Sequence, residues 1–459
     1  MSPPEAREYL DSLINYENHL DCVHRSLFKL ERVEGILNRL GSPHKKISFI
    51  HIAGTKGKGS TCAFIAFVLR EAGYKVGLYT SPHLHDYQER IRILSPPLSS
   101  IDPEDPFVGR ISDPELAATL KEIKPVLDCV GKNDHWGRLS FFEALTSLAI
   151  YYFQQAQVDF AVLETGLGGR LDATNVVESL VCGLTPISLE HTELLGSTLQ
   201  EIAQEKAAII KNKDQGVVVA PQDPQADQII RDRCHAYQAR ACCVGEDIRY
   251  QAVSQDLKGQ TFEIQSPYNG CLKLETRLLG AHQIVNAAVA LGVVESLQHR
   301  GFPIPREAIQ RGMEKTLWPG RLEVMSSHPL VILDGAHNPA SVKALVKAIQ
   351  DLLPGKKVTL IFGLSLDKDK RAVAREFHKV TSKIVFTQAH HPRACPLTPQ
   401  ELEDLFPGCE IITTRNVSDA LDCAFSVTTE EQVILISGSL FVVGEARGCL
   451  LKNQSLLVP

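Results

Sequence analysis

No apolar run in this 459-residue chain reaches the length needed to cross a bilayer, so a helical membrane protein is excluded. No C-x-x-C pair occurs among its 12 cysteines, and Cys242 and Cys243 are adjacent, which speaks against both a zinc site and a disulfide framework. Scattered cysteines in apolar runs, such as Cys62, Cys182 and Cys423, behave as small hydrophobes and fit a reducing cytosol. Positive charge is not in excess: the net charge is −6, which argues against a broad nucleic-acid surface and still allows a local basic pocket. The segment from Met1 to Glu17 is too charged for a secretory signal. Internal repeats, low-complexity segments and coiled-coil patterns are also missing, so the expectation is a cytoplasmic monomer without membrane or nucleic-acid partners. The composition is ordinary for globular protein, 44% hydrophobic and 22% charged, at a length that predicts about two or three domains.

Against that plain background one stretch stands out, His51-Ile-Ala-Gly-Thr-Lys-Gly-Lys-Gly-Ser-Thr61. It follows an apolar run, Ile47 to Ile52, that reads as a buried strand, and precedes an apolar-periodic helix from Ala63 to Arg70. A glycine-rich turn between strand and helix leaves backbone N–H groups free to point at an anion. The helix N-terminus adds partial positive charge and Lys58 a full one, which is a way to hold nucleotide phosphates. The stretch departs from the usual phosphate loop: Gly59 separates Lys58 from Ser60, and Ile52 stands where a glycine is expected five places before Gly57.

Residues Pro4 to Leu40 read as helical, with Leu27, Leu30, Val33, Leu37 and Leu40 at helix spacing and Gly41-Ser42-Pro43 as a stop. Short strand candidates follow at Val76 to Thr80, Phe160 to Glu164, Val181 to Leu184 and Val217 to Ala220, separated by helical segments; such alternation predicts a largely parallel sheet. Ser95 to Arg138 breaks the rhythm and reads as a surface excursion above the functional edge of the sheet, with a modest helix from Leu116 to Leu127. Tyr250 to Leu279 leans to β and suggests a small antiparallel subdomain, and His282 to Leu297 is helical. After a hinge at Lys315 to Arg321 a second α/β series begins, with strands at Val331 to Leu333, Val358 to Phe362, Ile384 to Phe386, Ile411-Ile412 and Val433 to Ile436. The predicted domains are therefore 1–314 and 322–459, joined by 315–321, with a ligand expected between them.

Further segments complete a set: Tyr79-Thr-Ser-Pro-His83; Val162-Leu-Glu-Thr-Gly-Leu-Gly-Gly-Arg-Leu-Asp-Ala-Thr-Asn175; Glu190-His-Thr-Glu-Leu-Leu-Gly-Ser-Thr198; Glu205-Lys-Ala-Ala-Ile-Ile-Lys211; Gly280-Ala-His-Gln-Ile-Val-Asn286; and Asp334-Gly-Ala-His-Asn-Pro339. In this order, and on to Ser437-Gly-Ser-Leu-Phe441, they resemble the folylpolyglutamate synthase/dihydrofolate synthase family of the Mur-ligase superfamily over nearly the whole chain. The resemblance implies an α/β fold: an N-terminal P-loop ATPase-like domain with a mostly parallel sheet and a small antiparallel subdomain, then a C-terminal Rossmann-like domain. It implies an ATP-dependent ligase that adds L-glutamate to dihydropteroate or a reduced folate through an acyl phosphate, giving ADP and phosphate, with both activities in one enzyme as the leading reading. A single-activity member, another Mur-type amide ligase and a nucleotide-binding ATPase without ligase activity are the alternatives.

Phosphoryl transfer asks for positioning and charge neutralisation more than covalent help. The resemblance assigns ATP to Gly54, Thr55, Gly57, Lys58, Gly59, Ser60 and Thr61 in the loop, and to Asn286, Arg321, Asp334 and His337 further on. It assigns two Mg²⁺ sites to Ser60, Ser81, Glu164, His191 and a carbamylated Lys206, and catalysis to Lys58, Glu164, His191 and Lys206. Read from the residues alone, His191 is a hydrogen-bonding histidine, Lys206 a surface lysine beside Glu201 and Glu205, and Asp334 part of a strand-ending turn. Arg170, Leu171, Asp172 and Ala173 match a loop that borders the pterin-acyl substrate. Phe141-Phe-Glu143 and Lys29-Leu-Glu31 match other family segments, and the two rings suit stacking or the core equally. Lys56, Glu190 and Ala208 replace the asparagine, aspartate and glycine usual at those places, and none of these changes removes a proposed ligand.

Overall fold

The computed structural model describes residues 1–17, 27–96, 105–132 and 137–453. The chain runs through α1 (Pro3–Asp11), α2 (Leu30–Arg39), β1 (Ser48–Ala53), α3 (Lys58–Glu71), β2 (Val76–Tyr79), β3 (Ile91–Leu94), α4 (Asp113–Gly131), α5 (Phe141–Gln155), β4 (Phe160–Glu164), β5 (Ser179–Leu184), α6 (Thr192–Leu195), α7 (Leu199–Ala207), β6 (Gly216–Val219), α8 (Pro224–Ala236) and β7 (Ala241–Cys243). A meander of β8 (Arg249–Gln255), β9 (Gln260–Ser266) and β10 (Gly270–Thr276) leads to α9 (Ala281–His299) and α10 (Arg306–Lys315). Then come β11 (Glu323–Ser327), β12 (Leu330–Leu333), α11 (Pro339–Leu352), β13 (Val358–Phe362), α12 (Lys370–Phe377), β14 (Thr381–Phe386), α13 (Pro399–Leu405), β15 (Glu410–Thr413), α14 (Val417–Val427), β16 (Val433–Ser437) and α15 (Leu440–Lys452).

Two compact units result. The first comprises Met1–Val253, Thr261–Thr276 and Gln283–Leu317; the second comprises Ser254–Gln260, Arg277–His282 and Trp318–Pro459. Two short segments expected in the first domain therefore cluster with the second. The first unit holds a seven-stranded sheet in the order β3-β2-β4-β1-β5-β6-β7, parallel except for the β2–β3 pair. Strand β1 lies at the middle, with β4 on one side and β5 on the other, so the chain switches direction across the sheet at β1. Open α/β sheets hold ligands at the carboxyl ends of the strands at such a point. The second unit holds a six-stranded sheet in the order β11-β12-β16-β13-β14-β15, with only β11 antiparallel. The three strands β8 to β10 form a separate sheet; turns of a few residues join them, so neighbours run antiparallel.

Two expectations need correction. The stretch from Pro4 to Leu40 is not continuously helical: α1 ends at Asp11 and α2 starts at Leu30, with residues 18–26 outside the described part. The Ser12 hydroxyl donates to the Tyr9 carbonyl and the Asn15 side chain accepts from the Glu17 amide, so short polar side chains take backbone groups that a helix would need. The stretch from Ser95 to Arg138 is no surface excursion. Its 19-residue helix α4 starts with a Ser112/Glu115 capping box and buries Leu116, Leu120, Ile123, Leu127 and Val130 in one core with α1, α2 and α5. At about 1.5–3 kcal/mol for each large side chain buried, that stripe outweighs the cost of Pro125, which sits on the exposed side. Residues 97–104 and 133–136 of the stretch lie outside the described part. The edge strand β3 just before it was unforeseen.

Candidate active site

The turn after β1 is built for close approach. Gly54 has φ of 145°, and a Cβ there would lie 1.9 Å from Thr185 Oγ1; Gly57 is left-handed at φ 85°, and a Cβ would lie 2.1 Å from Asn286 Oδ1. Only glycine fits at either place. Gly57 is also the N-cap of α3 and offers no side chain to its amides, and the first backbone bond back to it comes from the Thr61 N–H at 2.9 Å. The amides before Thr61 thus remain for an anion. The loop is held from behind: the Thr55 and Lys56 amides donate to the Pro186 carbonyl, and the Thr55 hydroxyl donates to the Ser188 carbonyl at 3.1 Å. Asn286 itself is buried and donates to Gln283 at 2.9 Å.

Four neighbouring strands bring the predicted ligands to one edge. Gly54 to Ser60 follow β1, Ser81 follows β2, Glu164 ends β4, and His191 comes after β5. Glu164 is buried; its Oε2 accepts from the Ser81 amide at 3.1 Å and its Oε1 lies 3.9 Å from Lys58 Nζ. His191 takes a left-handed φ of 52° as the residue before α6. The hydroxyls of Thr61 and Thr165 are buried here without a hydrogen-bond partner. Among the described residues no three His, Cys, Asp or Glu side chains gather to hold a metal. One carboxylate, two serine hydroxyls and one imidazole form an oxygen-rich, incomplete set, which suits an Mg²⁺ that keeps waters and takes phosphate oxygens.

Lys206 is the main surprise. It is not on the surface: it is 5% exposed on α7, and its Nζ donates to the Gly54 carbonyl at 2.8 Å. Burial, reinforced by the charge of Lys58, lowers its amine to about 7. Burial also lowers Lys56, against the pull of Glu190.

The loop after Glu164 divides by role. Asp172 and Ala173 are turned inward. Asp172 Oδ2 accepts from the Leu167 amide at 2.7 Å and Oδ1 from the Thr174 amide at 3.0 Å, so its carboxylate builds the loop and does not face a ligand. Arg170 is exposed and pairs with Glu205 at 3.0 Å, and Leu171 is half-buried. A cleft of about 1080 Å³ borders Arg170, Asn175, Glu205, Lys211 and Arg233. Of the paired rings, Phe141 is core and Phe142 only partly buried. Glu143 caps α5 and binds buried Arg32 at 2.8 Å, a structural pair that spacing did not reveal.

In the second unit, Asp334 follows β12, and its amide donates to the Ile436 carbonyl of β16. Its oxygens accept from the Ala336 amide at 2.8 Å and the Leu322 amide at 2.9 Å; burial raises its pKa above the ordinary carboxylate value, against the pull of Arg321 and His282. Arg321 donates to the Gly320 carbonyl at 2.9 Å, and His337 Nδ1 lies 2.7 Å from the Gly335 carbonyl. The structure therefore brings Arg321 and Asp334 together and adds His282, which the sequence left unmarked. Its only signal was its place in the Gly280 to Asn286 segment.

Residues 124–294 match the Mur ligase middle domain, and residues 320–440 match the Mur ligase, glutamate ligase domain. The chain is 34% identical over 429 residues to a dihydrofolate synthase/folylpolyglutamate synthase of Bacillus subtilis, covering 91% of this chain and 94% of that one. It is 32% identical over 442 residues to the protein of the same name in Escherichia coli, covering 96% and 95%. Among solved structures it is similar to Mycobacterium tuberculosis folylpolyglutamate synthase complexed with ADP, at a TM-score of 0.86 and 29% identity over 97% of both chains. It is also similar to a folylpolyglutamate synthase–AMPPCP–folate complex, at a TM-score of 0.81 and 29% identity over 98% of this chain and 100% of that one.

Proposed function

This chain belongs to the dihydrofolate synthase/folylpolyglutamate synthase family of Mur ligases, and on that premise we propose that it joins L-glutamate to a folate-type carboxylate with ATP, acting on both dihydropteroate and reduced folates. The observation that carries this reading is the uncapped start of α3 at Gly57, beside Lys58 and the strand-end carboxylate of Glu164. A carboxylate is a poor acyl donor because oxide would have to leave. Transfer of the γ-phosphoryl group onto it makes an acyl phosphate; the amine of glutamate then attacks the carbonyl carbon, the C–O bond to phosphate breaks, and the amine loses a proton. The protein supplies positioning and charge for these steps.

The amides from Lys58 to Ser60 hold the phosphates, and the Lys58 ammonium neutralises charge that builds on them. Gly54, Thr55, Gly57 and Asn286 shape the loop, and Arg321, Asp334 and His337 are further nucleotide-binding residues. Ser60, Ser81 and Glu164 would hold one Mg²⁺, and His191 with Lys206 a second. Bound there, Mg²⁺ supplies phosphate charge neutralisation. An ammonium at Lys206 would repel that second ion. An amine lowered to about 7 is substantially neutral at cellular pH and adds to CO₂ with loss of a proton, giving an anionic carbamate whose oxygens suit the site. Arg170 and Leu171 border the folate, with Asp172 and Ala173 shaping their loop.

Purified protein should release ADP and phosphate only when ATP, L-glutamate and either dihydropteroate or tetrahydrofolate are all present. Turnover without glutamate and folate would sink the reading in favour of a plain ATPase. Activity with only one of the two acceptors would restrict it to a single-activity enzyme.

A further inference from the structure

The strand that delivers the phosphate loop carries a histidine in its buried middle. His51 is fully buried, on the same face of β1 as Phe49 and Ala53, where the alternation calls for an apolar residue. Its Nε2 lies 2.7 Å from Thr174 Oγ1, and the Thr174 hydroxyl donates to Asp172 Oδ1. Thr174 has one hydroxyl proton, and Asp172 takes it. The imidazole must therefore donate from Nε2, which fixes the neutral tautomer and leaves Nδ1 as a buried acceptor with no partner. An orphaned acceptor in a core is costly, so the arrangement asks for a reason beyond packing.

The loop from Gly166 to Asn175 is gripped on its other side by α7. The Arg170 amide donates to the Glu205 carbonyl at 2.9 Å, the Arg170 side chain pairs with Glu205, and a Cβ on Gly169 would lie 2.6 Å from that same carbonyl. The side chains of Arg170 and Leu171 stay at least partly exposed between these two attachments.

We infer that His51, Thr174 and Asp172 form a buried hydrogen-bond relay that ties this loop to the phosphate-loop strand and sets Arg170 and Leu171 for the folate-type acceptor. His51 and Thr174 are then positioning residues for acceptor binding. The inference rests on the proposed ligase reading. It also reassigns Asp172 from contacting the acceptor to holding the residues that do.

The test compares Michaelis constants for acceptor and ATP in the full-length enzyme. Thr174→Val keeps the shape and removes the hydroxyl. It should raise the KM for dihydropteroate about tenfold and leave the KM for ATP within about twofold, as expected when one buried hydrogen-bond link that supports the acceptor loop is lost. Thr174→Ser restores the oxygen and should restore the wild-type KM. His51→Phe, which fills the space without a donor, should repeat the Thr174→Val effect and serves if that variant fails to fold. Equal rises in both constants, unchanged constants, or no rescue by serine would overturn the relay. A wild-type enzyme without acceptor-dependent turnover would instead overturn the ligase reading, before any variant is compared.

Discussion

The molecule builds a strand, a turn and a helix at the carboxyl edge of a parallel sheet in each unit, and finishes the turn in opposite ways. In the first unit β1 passes through Gly57 into α3, and the cap residue has no side chain to offer. In the second unit β12 passes through Asn338 into α11; the Asn338 side chain accepts from the Ser341 amide at 3.0 Å, and Pro339 removes a further donor at the start of the helix. Both helices have the same partial positive end. The first leaves its amides without a cap, whereas the second caps its Ser341 amide internally. What distinguishes a phosphate cradle from a plain turn is the chemistry of the cap residue, within a shared topology.

The largest break in that contrast comes from Lys206, the only lysine bound to the carbonyl of Gly54 in the first turn among the described residues. Lys206→Ala should lower turnover by about 10²–10³-fold, the scale set by losing one group that stabilises transition-state charge, and added bicarbonate should not restore it. The buried amine also has a stability signature. Its folded value, about 7, lies below the ordinary 10.5, so the folded state holds the proton less well than the unfolded one. Its penalty is then greatest below pH 7 and relaxes as pH rises toward 10.5. In carbonate-free buffer Lys206→Met should therefore raise the melting temperature more at pH 6 than at pH 9; an equal gain at both would show an amine with an ordinary pKa.

A smaller effect is expected from closing the cradle itself. Gly57→Ala places a Cβ against Asn286 Oδ1 in a left-handed backbone. It should weaken binding of an ATP analogue about tenfold or more and cost about 1–3 kcal/mol in denaturant unfolding. The smallest effect belongs to the second turn. Asn338→Ala uncaps α11 and should cost about 1 kcal/mol of stability, with turnover near wild type. A turnover loss as large as that of Gly57→Ala would mean that Asn338 does more than cap α11.

Much of the first turn could be read from residues in a row. Glycines at 54 and 57, an apolar strand before and an apolar helix after are local signals, and the structure places each where the spacing predicted. Strands β2, β4 to β6 and β12 to β16 were legible for the same reason, whereas β3, β7 and β11 were not. Helix α4 was underread because four prolines and several aspartates before it masked a regular apolar stripe. The gap between α1 and α2 was missed because leucine spacing carries across a break that Ser12 and Asn15 make with their side chains.

Sequence by itself determined the α/β class, the glycine turn and the set of residues able to carry ligase chemistry, since these depend on neighbours a few positions apart. Only the tertiary structure decided which of them are buried and what they bind within the chain. It buried Lys206 against Gly54, 152 positions away, turned Asp172 into its own loop, and linked His51 to Thr174 across 123 positions. Burial and long-range hydrogen bonding set the charge state and direction of a side chain, and neither is written in the residues beside it.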